Sequence, residues 1–241
     1  MKADSQFKFV YTFSIMKTLA IIPAYNEEES LAATIEELER VAPEVDYVVI
    51  NDGSSDGTRD LCRARGFDYI DLPVNVGLSA GFQTGMKYAL RHGYDCAVQF
   101  DADGQHRPEF ISAMVARMAE SGDDIVIGSR FVGSHKHVSA RMAGSSLIQG
   151  MIRLTTGARI CDPTSGMRLY SRAMIERFAR ESDFGPEPDT VAYLIRHGAR
   201  VSEVPVQMRD RTAGESYLSF TKSIKYMLSA CISILFVQWF R

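Results

Sequence analysis

The chain has 241 residues, 46 % of them hydrophobic and 24 % charged, which suits one large folded domain or two small ones and excludes a disordered or fibrous class. A formal net charge of −3 gives no sign of a nucleic-acid partner, yet the charge is unevenly spread. Residues 18–128 carry 8 Lys and Arg against 20 Asp and Glu, while residues 129–180 carry 9 against 2, so a cation in the first half and an anion in the middle are the ligands this pattern suggests. Cys62, Cys96, Cys161 and Cys231 form no CxxC pair, which argues against a zinc site or a secreted disulfide framework and for a reduced, cytosolic setting.

Taken in chain order, residues 1–15 lack the apolar core and small-residue cleavage site of a signal peptide, and they read as an extension dispensable for the fold. From Thr18 the pattern alternates. TLAIIPAY reads as a buried strand and NEEESLAATIEELERV as a helix with acidic residues in its first turn, where they suit the helix dipole. VDYVVIND is a second strand, SDGTRDLCRARG a helix ended by glycine, and FDYIDL a short third strand. GLSAGFQTGMKYALRHG is a helix, YDCAVQFDAD a fourth strand, PEFISAMVARMAESG a helix and DIVIGSR a fifth strand.

Beyond Arg130 the regularity decays. ARMAGSSLIQGMIRLTTG reads as a helix, CDPTSGMRLYS as a turn before a short strand, GARVSEVPVQM as a further strand, and SYLSFTKSIKYMLSACISILFVQWF as a long helix. The fold class is α/β, a mostly parallel sheet covered on both faces by helices. Ligands of such sheets bind beyond the carboxyl ends of the strands, which places Tyr25, Asp52, Asp101, Asp103 and Arg130 on one rim.

Asp101 and Asp103 end the buried run YDCAVQF. Two carboxylates there make a clamp for a hard divalent cation such as Mg²⁺ or Mn²⁺, with the Gln105 amide as a further oxygen ligand. In IPAYNEEE and INDGSSDGT, Tyr25 offers a stacking face, Glu27 and Asp52 accept hydrogen bonds from a base or ribose, and Gly53 and Gly57 permit tight turns. No GxxxxGK[ST] phosphate loop is present.

PAYNEE, NDGSSDGT, N-x-G at 75–77, DADGQH, GSRF and RTAGES together resemble family 2 glycosyltransferases of the GT-A (Rossmann-like) fold, over residues 17–241. The likeness is to the branch that makes polyprenyl-phosphate sugars, such as dolichol-phosphate mannose synthase and bacterial undecaprenyl-phosphate sugar synthases. The resemblance implies that Pro23, Tyr25, Glu27 and Asp52 hold the nucleoside and that Asp101, Asp103 and Gln105 hold the metal on the diphosphate, so Asp101 serves both. It implies that Arg130 and Arg211 meet phosphate charge. Asp162 and Arg168 match a D-x-x-S-G-x-R stretch near the acceptor, where Asp162 orients the acceptor, acts as a base or caps its turn. Two departures stand out: NDGS replaces the frequent DDGS, and Tyr217 stands where a lysine often follows RxxGxS.

The implied activity is metal-dependent, inverting transfer of a hexose or N-acetylhexosamine from a UDP-linked donor to undecaprenyl phosphate, for cell-surface glycan assembly. The rivals are transfer to a saccharide hydroxyl and nucleotide-sugar binding without turnover. The implied organisation is a catalytic domain over 16–216 and a membrane-interface helix over 217–241. Residues 226–240 carry no charge but fall short of the roughly 20 apolar residues of a span. Lys222 and Lys225 before this stretch and Trp239 and Arg241 at its end suit a helix lying on the cytoplasmic membrane face, or docking a small membrane protein; packing on the protein's own core is the alternative.

Overall fold

The computed structural model describes residues 16–132, 140–181, 184–209 and 220–236. Seven strands form one sheet: β1 (Thr18–Ala24), β2 (Val45–Asn51), β3 (Tyr69–Asp71), β4 (Cys96–Gln99), β5 (Ile125–Ser129), β6 (Arg168–Ser171) and β7 (Val201–Pro205), in the order β3-β2-β1-β4-β6-β5-β7. All neighbours are parallel except β6, which lies antiparallel to both β4 and β5. The helices are α1 (Leu31–Val41), α2 (Thr58–Arg65), α3 (Leu78–Arg91), α4 (Ile111–Ser121), α5 (Ala140–Thr156), α6 (Arg172–Arg180), α7 (Pro188–Arg196) and α8 (Phe220–Leu235).

The alternation of strand side chains divides the core into two layers. Leu19 and Ile21 of β1 face a layer shared with α3, α5, α6, α7 and α8, built on Phe82, Met86, Ile148, Phe178, Leu194 and Ile234. Ala20 and Ile22 face the other, with Leu31, Ile35 and Leu38 of α1 and Met114 and Met118 of α4. A strand apolar on both faces belongs in the middle of a covered sheet, and β1 sits there between β2 and β4. Strand order reverses at β1 and β4, so a crevice opens at their carboxyl ends.

Four local readings change. The helix expected from Asn26 starts at Leu31, because the amides of Asn26, Glu27 and Glu28 bond to Ser54, Thr58 and Asp56 of the next loop. The acidic residues therefore lie in a turn before α1. The fourth strand stops at Gln99, leaving Asp101 and Asp103 in the loop beyond it. The sequence reading gave no elements for α6 and α7, and no antiparallel insertion of β6. Arg168, expected near the acceptor, opens β6 and is buried, donating to the carbonyls of Pro163 (2.7 Å) and Pro186 (2.8 Å).

Met16 packs on the α1-side core, and the Lys17 amide bonds the Asp95 carboxylate at 2.8 Å. A chain that starts at Met16 is therefore expected to melt within a degree or two of the full chain, since none of these contacts is lost. A clear drop in melting temperature would show that residues 1–15 contribute to stability.

Candidate active site

The rim is assembled by carboxylates that hold loop amides. Buried Asp52, just past β2, accepts the Val76 N–H at 2.8 Å and the Gly77 N–H at 2.9 Å, fixing the loop that enters α3. Gly53, at φ +63, lets this happen: a Cβ there would lie 2.4 Å from the Val74 carbonyl carbon. Beside it the loop after β1 is stitched to the loop after β2. Asn26, itself at φ +58, accepts the Ser55 N–H at 2.8 Å, and Glu28 accepts the Gly57 N–H at 2.9 Å. Glu27 accepts the Ser30 hydroxyl at 2.6 Å. Pro23 is half-buried in β1, while Tyr25 is 42 % exposed at the mouth of the crevice, where a flat ring would stack on it.

Across the crevice, Asp101 is held from two sides. Its Oδ1 accepts the Gln99 amide at 3.0 Å, and its own N–H donates to His106 Nδ1 at 2.9 Å. That places the proton of a neutral ring on Nε2, 3.6 Å from Asp101 Oδ2. Gly166 lies against the same oxygen, and a Cβ there would be 2.9 Å from it. Asp103 is buried and accepts the Gln105 N–H at 3.0 Å. Three anchors fix this loop: Thr34 donates to the Ala102 carbonyl (2.9 Å), the Arg209 N–H to the Gln105 carbonyl (3.0 Å), and the Arg209 guanidinium binds Glu37 through both oxygens. The Arg209 guanidinium also holds the Glu37 carboxyl below its ordinary pKa.

Among the described residues no cluster of three or more His, Cys, Asp or Glu is arranged to hold a metal. Two carboxylates and an amide within five residues nonetheless form the hard-oxygen set that suits Mg²⁺ or Mn²⁺, ions that take their other ligands from phosphate and water. These residues fit such an ion.

Arg130 follows β5 directly. Its Nε and Nη2 grip both oxygens of fully buried Asp162 at 2.7 Å each, while the Arg130 side chain as a whole is 37 % exposed. Arg211 and the rest of RTAGES lie outside the described residues, as do residues 133–139 of the basic stretch.

Three residues that hold these loops, His106, Glu203 and Glu187, carry no role in the sequence analysis, and a fourth, Arg168, carries another. His106 sits inside a quoted motif, so its spacing was visible. Arg168 was read for the acceptor rather than for loop carbonyls. Glu203, on β7, accepts the N–H groups of Cys161 (2.7 Å) and Asp162 (2.8 Å), and nothing in its neighbourhood in the chain signals this. Glu187, before α7, accepts the Ser79 hydroxyl of α3 at 2.8 Å, and burial raises its pKa.

The sheet is thus seven-stranded, reverses its order between β1 and β4, and carries Asp-x-Asp and an arginine on the rim. The sequence profile of "Glycosyl transferase family 2" matches residues 19–178, and the chain belongs to this family. It is 34 % identical over 218 residues to an undecaprenyl-phosphate mannosyltransferase of Micrococcus luteus, spanning 85 % of this chain and 88 % of the relative. It is 32 % identical to a polyprenol monophosphomannose synthase of Mycolicibacterium smegmatis, spanning 84 % and 81 %. The resemblance to the polyprenyl-phosphate branch rests on these relatives. Glucosyl-3-phosphoglycerate synthase of Mycobacterium tuberculosis, solved with Mn²⁺, UDP-glucose and phosphoglyceric acid, superposes with a TM-score of 0.63 at 20 % identity, covering 90 % of this chain and 80 % of that one, which establishes the shared fold.

Asp103→Asn keeps the shape and one oxygen acceptor but removes the charge that would draw the cation. The expected outcome is loss of transfer with an unchanged melting temperature, and loss of Mn²⁺ binding by calorimetry. EDTA should reproduce the activity loss in the unmodified protein. Full turnover in chelator would remove the metal from this site.

Proposed function

We propose that the chain is a metal-dependent, inverting glycosyltransferase that moves a hexose from a nucleotide sugar to a polyprenyl phosphate. The observation that carries this reading is the rim itself: the Asp101–Asp103 pair and the partly exposed Arg130 side chain stand at the ends of β4 and β5, in a chain whose relatives bear polyprenyl-phosphate names. Those names favour mannose as the hexose, and the donor nucleotide, first read as UDP, is set by assay.

In this reading Tyr25, Pro23, Glu27 and Asp52 line the nucleoside end, and Asp101, Asp103 and Gln105 hold the cation, which supplies charge neutralisation at the diphosphate. A phosphate oxygen of the acceptor attacks C1 from the face opposite the diphosphate. As that bond forms, the bond from C1 to the diphosphate oxygen breaks, and the nucleoside diphosphate leaves with the electron pair. A phosphate monoester, with a second pKa of about 6, is already largely ionised at neutral pH, so the attack needs no general base. Arg130, with Arg211, offsets the repulsion between the acceptor phosphate and the donor diphosphate. Asp162 serves that side through Arg130.

The acceptor test uses undecaprenyl phosphate with UDP-glucose, UDP-N-acetylglucosamine and GDP-mannose as donors. Transfer from one donor is expected, and Arg130→Ala is expected to lower it at least tenfold while donor affinity, measured calorimetrically, stays within about twofold. Equal losses in both would move Arg130 to the donor side. Transfer only to a saccharide hydroxyl would establish the rival enzyme, and binding without transfer or hydrolysis the non-catalytic one.

Among the described residues no helix is long and apolar enough to cross a membrane. Helix α8 buries Ala230, Cys231 and Ile234 against the core and exposes Leu228 and Ile232 along its other side, with Phe236 exposed just past its end. Its neighbour α5 exposes Leu147 and Leu154, and Lys225 is exposed near the start of α8. The proposal is that these rows rest on the cytoplasmic membrane surface, where the acceptor lipid resides. Ile232→Asp with Phe236→Asp is expected to abolish co-flotation with phosphatidylcholine–phosphatidylglycerol vesicles. Unchanged flotation would remove this face from the membrane, and flotation that needs a co-expressed small membrane protein would make that protein the occupant.

A further inference from the structure

The acceptor side depends on where Arg130 points, and three elements decide it. Asp162 has no exposed surface. Its Oδ2 accepts both the Arg130 backbone N–H at 3.0 Å and the Arg130 Nε–H at 2.7 Å. Its Oδ1 accepts Arg130 Nη2 at 2.7 Å and the Thr164 hydroxyl at 3.2 Å. A carboxylate offers about four lone-pair positions, and all four are taken. A proton could enter only by displacing one of these donors.

The turn that carries Asp162 is fixed in turn. Ser165 donates its N–H to the Asp162 carbonyl at 3.2 Å and its hydroxyl to the Gly128 carbonyl at 2.6 Å, while the Gly128 N–H bonds the Met167 carbonyl at 2.9 Å. These bonds join the turn to the end of β5, immediately before Arg130. The remaining backbone donors at its start, the N–H groups of Cys161 and Asp162, both enter the Glu203 carboxylate from β7. Glu203 thus governs the place of Asp162, and Asp162 governs the guanidinium. Asp52 holds the consecutive amides of Val76 and Gly77 in the same way at the other end of the sheet.

We infer that Glu203 and Asp162 are positioning residues for Arg130: Glu203 sets the turn, Asp162 sets the guanidinium plane, and Asp162 takes no proton from the acceptor. The functional half of this inference rests on the assignment of Arg130 to the acceptor phosphate. Its geometric half does not. A guanidinium gripped through Nε and Nη2 has a fixed plane, and a fork of fixed orientation binds phosphate better than a freely rotating one. Glutamine at position 203 has one oxygen acceptor and an NH₂ group that cannot accept, so it meets only one of the two amides.

Two readouts test it. The first is a mutant cycle on the KM for undecaprenyl phosphate. Glu203→Gln is expected to raise this KM about tenfold with kcat and donor affinity within about twofold, and to add nothing in an Arg130→Ala background, because positioning has meaning only while the guanidinium is present. Multiplying effects would make Glu203 a structural residue only and overturn the relay. Asp162→Asn is expected to raise the same KM and leave the pH profile of kcat unchanged. A large kcat loss with disappearance of an acid limb would make Asp162 a base, against the inference.

The second readout is independent of turnover: the Arg130 Nε–H resonance in ¹⁵N NMR, assigned by its loss in Arg130→Ala. Glu203→Gln is expected to shift it and speed its exchange with water. An unmoved resonance overturns the relay even where Arg130 serves the acceptor. A moved resonance in a protein whose Arg130→Ala variant keeps its acceptor KM upholds the relay and overturns the acceptor assignment.

Discussion

In a parallel sheet the carboxyl ends of the strands run out together on one rim, and the loops that leave them have N–H groups without ladder partners. Buried donors of this kind must be satisfied, and the chain satisfies them with carboxylates. Asp52 takes the amides of Val76 and Gly77, Asp103 that of Gln105, Glu28 that of Gly57, and Glu203 those of Cys161 and Asp162. Each bond closes a loop whose shape the site needs. The cleft exists because these loops cannot relax.

Meeting amides with acids has an electrostatic consequence. Negative charge accumulates on the rim that, in the proposed function, also receives a diphosphate and a phosphate, and like charges at short range in a partly dry cleft repel strongly. The opposing charges are placed to match. Arg130 lies on the β5 side, locked to Asp162, and in the proposed function the Asp101–Asp103 pair on the β4 side would draw a divalent ion.

The two faces of the sheet are used differently. On one, α1 and α4 close over β1 and β4 and brace the Asp-x-Asp loop through Thr34. On the other, α5 and α8 pack together, and α8 is shared between the protein's own core and an exposed apolar row. The two readings of the last helix, core element and surface element, are thus compatible: each describes one side of the same cylinder. Asp189 at the start of α7 accepts the Ser233 hydroxyl of α8 at 2.5 Å, so the exposed row is joined by a hydrogen bond to the layer beneath the rim.

Local information decided a great deal. Runs such as TLAIIPA and IVIGS can only be buried strands, glycines at 66 and 122 stop helices by adopting the left-handed conformation, and strand–helix alternation leads to a parallel sheet. The same runs put Asp52, Asp101, Asp103 and Arg130 at strand ends, because a side chain's place along a strand is read from its neighbours. What the sequence could not decide were bonds between distant segments. The antiparallel entry of β6 between β4 and β5, the late start of α1, the burial of Arg168 and the hold of Glu203 on Cys161 and Asp162 all depend on partners far away in the chain. A motif specifies which groups reach the rim. Which of them face a ligand and which are occupied by the protein's own amides is settled only when the loops meet, since a buried donor takes the nearest acceptor in space, whatever its number in the sequence.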